Sequence, residues 1–164
     1  MNKLEQLKWK VGAQVNKLRL LKLKLFGAKV GKNVKIHGKF FIKYCDNFEI
    51  GANSHINYGV FLGCRDKIII GENVHISSHV VMHTGGLNLN DRHRHNHVCK
   101  PIIIEDNVWL TTGVVINPGV KIGKNSVILP NSVVIDDIPA NVIAGGIPAK
   151  IIKKIGEGNI CVEY

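Results

Sequence analysis

The sequence predicts an all-β chain: a parallel β-helix in which short strands wind into triangular coils that stack. Three observations carry this. An aliphatic residue followed by Gly recurs every 20 residues, in VGKNVKI from Val30, IGANSHI from Ile50 and IGENVHI from Ile70. Within each block, large apolar residues fall six apart: Val30, Ile36, Ile42 and Phe48, then Ile50, Ile56, Leu62 and Ile68, then Ile70, Ile76 and Met82. The register stops after Met82, resumes at Ile104 and runs through Leu110, Ile116, Ile122, Ile128 and Val134 without a slip.

A period of six excludes an amphipathic helix, whose apolar stripe returns every three or four residues, and it differs from simple strand alternation. It fits one short strand per hexapeptide, three strands to a coil, with the aliphatic residues forming inward ladders between stacked coils. Gly, Asn and Asp after each ladder residue supply the left-handed corners. The 20-residue spacing is three hexapeptides plus a two-residue extension, and the later coils drop the extension, since Ile104 to Ile122 is 18. A β-sandwich would show irregular spacing instead.

A chain of 164 residues suits one domain with a real core. The net charge of +10 is unevenly spread. Residues 1–35 hold ten Lys/Arg against Glu5, while residues 36–164 are nearly balanced, with twelve Lys/Arg against eleven acids. Aromatics are sparse and not interleaved with the basic residues, so no nucleic-acid platform is expected. Cys45, Cys64, Cys99 and Cys161 form no C-x-x-C pair and read as reduced thiols. With no signal peptide and no span-length apolar run, the expected location is cytoplasmic.

The segment 1–29 is expected to be a basic helix. Leu4, Leu7, Val11, Val15, Leu18 and Leu21 recur at three or four, as one helical face would. Two readings compete for it. The favoured one is a cap on the open first coil. The other is peripheral contact with an anionic membrane surface. The coil proper is expected over 30–146, with an excursion loop at 84–100, and a C-terminal helix and tail over 147–164.

The excursion segment VVMHTGGLNLNDRHRHNHVCKP, Val80 to Pro101, carries four of the eight histidines: His83, His93, His95 and His97. Imidazole is the natural general base near neutral pH. If the loop is extended, His93, His95 and His97 alternate onto one face. His55 and His75 occupy the same slot in successive coils and are expected to stack outward as a pair. His37 and His79 read as structural.

The stretch from Pro101 to Ile152 resembles the C-terminal pattern of left-handed β-helix, hexapeptide-repeat acyltransferases. N-V-W-L, N-P-G-V-K-I-G and A-G-G-I-P-A-K appear in the order and spacing of sugar O-acetyltransferases. The resemblance covers about residues 30–155 and supplies the left hand, against the usual right-handed crossover. It implies a homotrimeric, acetyl-CoA-dependent O-acetyltransferase acting on a saccharide hydroxyl in surface-polysaccharide or glycoconjugate synthesis. No metal is implied.

The family's base is a His five residues after the equivalent of Met82, and here that position is Leu87. The substitute candidates are His83 first, then His95 and His97, with His93 last and assigned to substrate binding. Asn57 matches the family's substrate-side Asn, whose amide can bond a sugar hydroxyl. The CoA groove implied by the resemblance involves Trp109, Thr111, Thr112, Pro130 and Asn131, with Lys150 and Lys153 toward the phosphates. Asp136 replaces a family Lys there. Two other readings stay open. One is a zinc lyase of the γ-carbonic-anhydrase kind, with ligands from His83 and the loop histidines. The other is a scaffold that has lost its base.

Overall fold

A computed structural model describes residues 2–88 and 96–156, the side chains of 3–10 and 13 aside. The chain opens with helix α1 (Lys3–Leu25). Gly27, at φ 92°, ends it. Ala28 N–H donates to the Leu23 carbonyl at 3.0 Å and Gly27 N–H to that of Lys24 at 3.2 Å. This paired closure satisfies the helix's last carbonyls and packs buried Leu23 against buried Ala28.

The first coil is β1 (Lys29–Val30), β2 (Lys35–Ile36) and β3 (Phe41–Lys43). A 3-10 turn at Cys45–Asn47 absorbs the corner extension. The second coil is β4 (Phe48–Ile50), β5 (His55–Ile56) and β6 (Phe61–Gly63), and the third is β7 (Ile68–Ile70), β8 (His75–Ile76) and β9 (Val81–His83). A ribbon follows, of β10 (Gly85–Leu87) and β11 (His97–Cys99). The fourth coil is β12 (Ile102–Ile104), β13 (Trp109–Leu110) and β14 (Val115–Ile116). The fifth is β15 (Lys121–Ile122), β16 (Val127–Ile128) and β17 (Val133–Val134).

Strands of like position pair in parallel and make the three sides of the prism, in the orders β1-β4-β7-β12-β15, β2-β5-β8-β13-β16 and β3-β6-β9-β14-β17. The predicted ladders are the registers observed. Val30, Ile50, Ile70, Ile104 and Ile122 stack on the first side. Ile36, Ile56, Ile76, Leu110 and Ile128 stack on the second, and Ile42, Leu62, Met82, Ile116 and Val134 on the third. Most are wholly buried, and each fully buried aliphatic side chain contributes about 1.5–3 kcal/mol.

Two residues before many ladder positions sits a second buried residue, commonly Val: Val34, Val60, Val74, Val80, Val108, Val114 and Val120. Where Ser takes that slot, its hydroxyl is bonded to backbone. Ser54 Oγ donates to the Gly71 carbonyl at 2.9 Å and accepts from Val74 N–H at 2.9 Å. One corner is a column of left-handed Asn residues, 33, 53, 73, 107, 125 and 141. Their amides bond from coil to coil, as in Asn107 to Asn125 at 3.1 Å. Asn is the side chain that tolerates this conformation best after Gly.

Two expectations change here. From 147 the chain is no helix among the described residues. β18 (Val142–Gly146) joins β16, and β19 (Ala149–Lys154) folds back antiparallel on β18. Pairing with an open sheet edge outweighs the weak helical propensity of AKIIKK. Second, α1 meets the first coil, as the favoured reading expects, but through Leu20 and Leu23 and not through the periodic residues Val11, Val15, Leu18 and Leu21, which face away and stay exposed.

Candidate functional site

The ribbon leaves the prism after β9 and returns before β12. Its root is fixed by Thr84, which is fully buried. The Thr84 hydroxyl donates to the Gly63 carbonyl and accepts from Asp66 N–H, both at 2.9 Å. Lys100 N–H donates to the Thr84 carbonyl, and Asn88 N–H to that of Asn96, each at 2.9 Å.

Between these two bonded rungs the register sets Gly85 opposite Cys99, Gly86 opposite Val98 and Leu87 opposite His97. Rungs alternate in an antiparallel pair, so Leu87–His97 is a narrow, non-bonded rung whose two side chains stand on the same face. The sequence could not disclose this. Leu87, the position the resemblance aligns with a family imidazole, is directly across from His97 on the returning strand. Both residues are exposed.

His83 takes a different setting. It ends β9 opposite Gly63. Its ring covers the backbone of Gly63, where a Cβ would lie 3.1 Å from His83 Cε1. It stacks on Phe61 with ring centroids 5.6 Å apart and planes 20° apart. His93 and His95 lie outside the described residues.

Arg65 is a residue that sequence reasoning missed. Its side chain runs beside Gly85 at the ribbon root and is exposed. The six-residue pattern carries no signal for it, because the neighbour is a loop.

On the second side, His55 and His75 stack as expected, with centroids 4.5 Å apart. His37 extends the column, its Nε2 3.3 Å from His55 Nδ1. Burial first, then the neighbouring charges of His75, His37 and Lys35, lower the His55 pKa. Trp109 pairs with His75 of the preceding coil, and its indole N–H donates to Ser77 Oγ at 3.1 Å. His79 holds a left-handed corner and meets Tyr58 edge-on at 5.6 Å.

Asn57 is not a left-handed corner. Its Nδ2 donates to the Ile76 carbonyl at 2.9 Å, which fixes the amide and leaves its oxygen free to accept a bond. Thr111 is buried and its hydroxyl donates to the Ile128 carbonyl, so that donor is spent within the prism. Thr112, Pro130 and Asn131 are exposed at the next corner, where Asn131 N–H donates to the Thr112 carbonyl at 2.9 Å. Lys150 Nζ lies 3.8 Å from Asp136, both well exposed, and Lys153 stands opposite Ile143 on β18. Among the described residues no three His, Cys, Asp or Glu side chains come together as a metal centre.

A hexapeptide coil broken by one ribbon defines the class, and the comparisons agree. Residues 101–136 match the family model described as bacterial transferase hexapeptide (six repeats). A Saccharomyces cerevisiae relative, YJL218W, is 41% identical over 127 residues, 76% of this chain, and the chain spans 65% of that relative's length. The galactoside O-acetyltransferase of Escherichia coli is 37% identical over 147 residues, covering 88% of this chain and 72% of the relative. Among solved structures, the hexapeptide-repeat acetyltransferase VCA0836 of Vibrio cholerae, complexed with acetyl-CoA, is 31% identical with a TM-score of 0.81, over 93% of this chain and 85% of that one. A galactoside acetyltransferase in complex with CoA is 36% identical with a TM-score of 0.78, over 82% and 68%. The chain belongs to the hexapeptide-repeat acetyltransferase family.

Proposed function

We propose that the protein transfers the acetyl group of acetyl-CoA to a sugar hydroxyl, with His97 as general base, in a homotrimer whose site lies between protomers. The observation that carries the reading is the Leu87–His97 rung. The neutral imidazole takes the acceptor proton, and the alkoxide oxygen attacks the thioester carbonyl. The tetrahedral intermediate then expels the CoA thiolate, which takes the proton back from the imidazolium. Acetyl-CoA is a co-substrate here, in keeping with the CoA-bound relatives.

Asn57, with its amide nitrogen tied to Ile76, offers its oxygen to an acceptor hydroxyl. Trp109, Thr112, Pro130 and Asn131 line the pantetheine side, and Lys150 and Lys153 serve the phosphates. The ion pair with Asp136 weakens the Lys150 contribution. The trimer is supported by the ribbon itself. A two-stranded ribbon is marginal alone, and this one leaves Leu87 and Val98 exposed, at 50% and 40%, for a neighbouring copy to cover.

The test follows thiol release from acetyl-CoA over a panel of sugars. Expected is turnover with a saccharide acceptor, a loss of about a hundredfold or more in His97→Ala, and a smaller effect in His83→Ala. A larger loss from His83→Ala than from His97→Ala would overturn the assignment of the base. No turnover with any acceptor would favour a scaffold.

A further inference from the structure

The sequence gives α1 a periodic apolar face, and the structure leaves that face without a partner. Its contact with the prism is made on the other side of the helix, by Leu20 and by Leu23, which is 5% exposed. Val11, Leu18, Leu21 and Leu25 are more than half exposed, Val15 is 39% exposed, and Phe26 continues the patch at 68%. These residues recur at three and four and lie along one stripe. The stripe is too long to be stray surface hydrophobics.

The charge of the helix says what covers it. From Lys3 to Leu25 it carries seven Lys/Arg against one Glu. Among the residues whose side chains are described, Lys17, Lys22 and Lys24 are exposed, in or beside the stripe. No ion pair to an acid satisfies them among the described residues. Stacking such helices from several copies would bring like charges together. A nucleic-acid backbone would answer the charge but leave the leucines in water. An anionic bilayer answers both, since acyl chains take the apolar stripe while the lipid head groups meet the lysines that flank it. The helix is not long and apolar enough to cross a membrane, so it would lie in the interface plane.

We infer that the outward face of α1, from Val11 to Phe26, docks the protein on a lipid surface rich in anionic head groups. Acetyl transfer plays no part in this inference, and the test reads binding alone. Full-length protein is floated with vesicles of phosphatidylcholine, and with vesicles containing phosphatidylserine. Expected is binding to the anionic vesicles only, released at about 1 M salt, where the screening length falls to about 3 Å. The double variant Leu18→Ser, Leu25→Ser is expected to lower partitioning by about tenfold or more, with the thermal melt unchanged. Lys17→Gln with Lys24→Gln serves as a second, charge-only variant and should lower it also. Absence of binding to the anionic vesicles would overturn the inference. So would a fall in solution mass on Leu18→Ser, Leu25→Ser, because the stripe would then be a contact between copies.

Discussion

Exchanging two residues across the ribbon tests the assignment of the base most directly. His97→Leu removes the imidazole, and Leu87→His added to it returns one from the facing strand. On a narrow rung the two Cβ atoms are about 4.5–5.5 Å apart, so rings on either position sweep overlapping space above the same face. Loss of a general base costs about 10²–10⁴ in rate, or about 3–5 kcal/mol at 1.36 kcal/mol per decade. The exchanged ring arrives displaced, and a misplacement of about 1 Å can itself cost about a hundredfold. The double variant is therefore expected to recover about ten- to a hundredfold over His97→Leu, short of the full rate. Both sites are exposed within the protomer; because Leu87 is also proposed to meet a neighbouring copy, the solution mass of the double variant is compared with that of the parent before the assay. The assay is thiol release from acetyl-CoA with a saccharide acceptor. The single variant should lower kcat with KM for acetyl-CoA little changed. A His97→Leu enzyme with normal kcat, or a folded double variant no better than the single, would refute the reasoning.

Other consequences follow from the packing. A Cβ at Gly51 would sit 2.5 Å from the Gly71 carbonyl carbon in the next coil, so Gly51→Ala is expected to cost about 1–3 kcal/mol in urea unfolding. Gly12→Ala in α1 meets nothing within 4 Å and should gain about 0.5–1 kcal/mol. The lowered pKa of His55 means that its neutral form is favoured on folding. That stability is present above about pH 6.5 and is lost as pH falls below it, so His55→Asn should narrow the gap between unfolding midpoints at pH 7.5 and pH 5. Burial pushes the Cys64 thiol up to about 12. Alkylation at pH 8 should therefore spare Cys64 in the native protein and reach it only after unfolding, as read by peptide mass mapping.

The prism was legible in the chain because each coil repeats the same local problem. An aliphatic residue every six positions has only one way to stay out of water in this geometry, and Ile56, Ile76 and Leu110 stack as their spacing required. The same regularity announced the outward pairing of His55 with His75. The residues proposed for the CoA side were readable only through resemblance, and Thr111 was legible as a position but not as a buried donor to Ile128.

What the sequence by itself determined was therefore periodic: the coil, its ladders, its corners and the place where it breaks. Tertiary structure alone decided the rest. Which imidazole faces Leu87 depends on ribbon register, which is set by the bonds across the ribbon from Lys100 to Thr84 and from Asn88 to Asn96. The faces α1 buries and exposes depend on where its last turn lands on the first coil. The strand from Ala149 exists because β18 offers it an edge. None of these is encoded by spacing within a segment, because each is settled by what the segment meets.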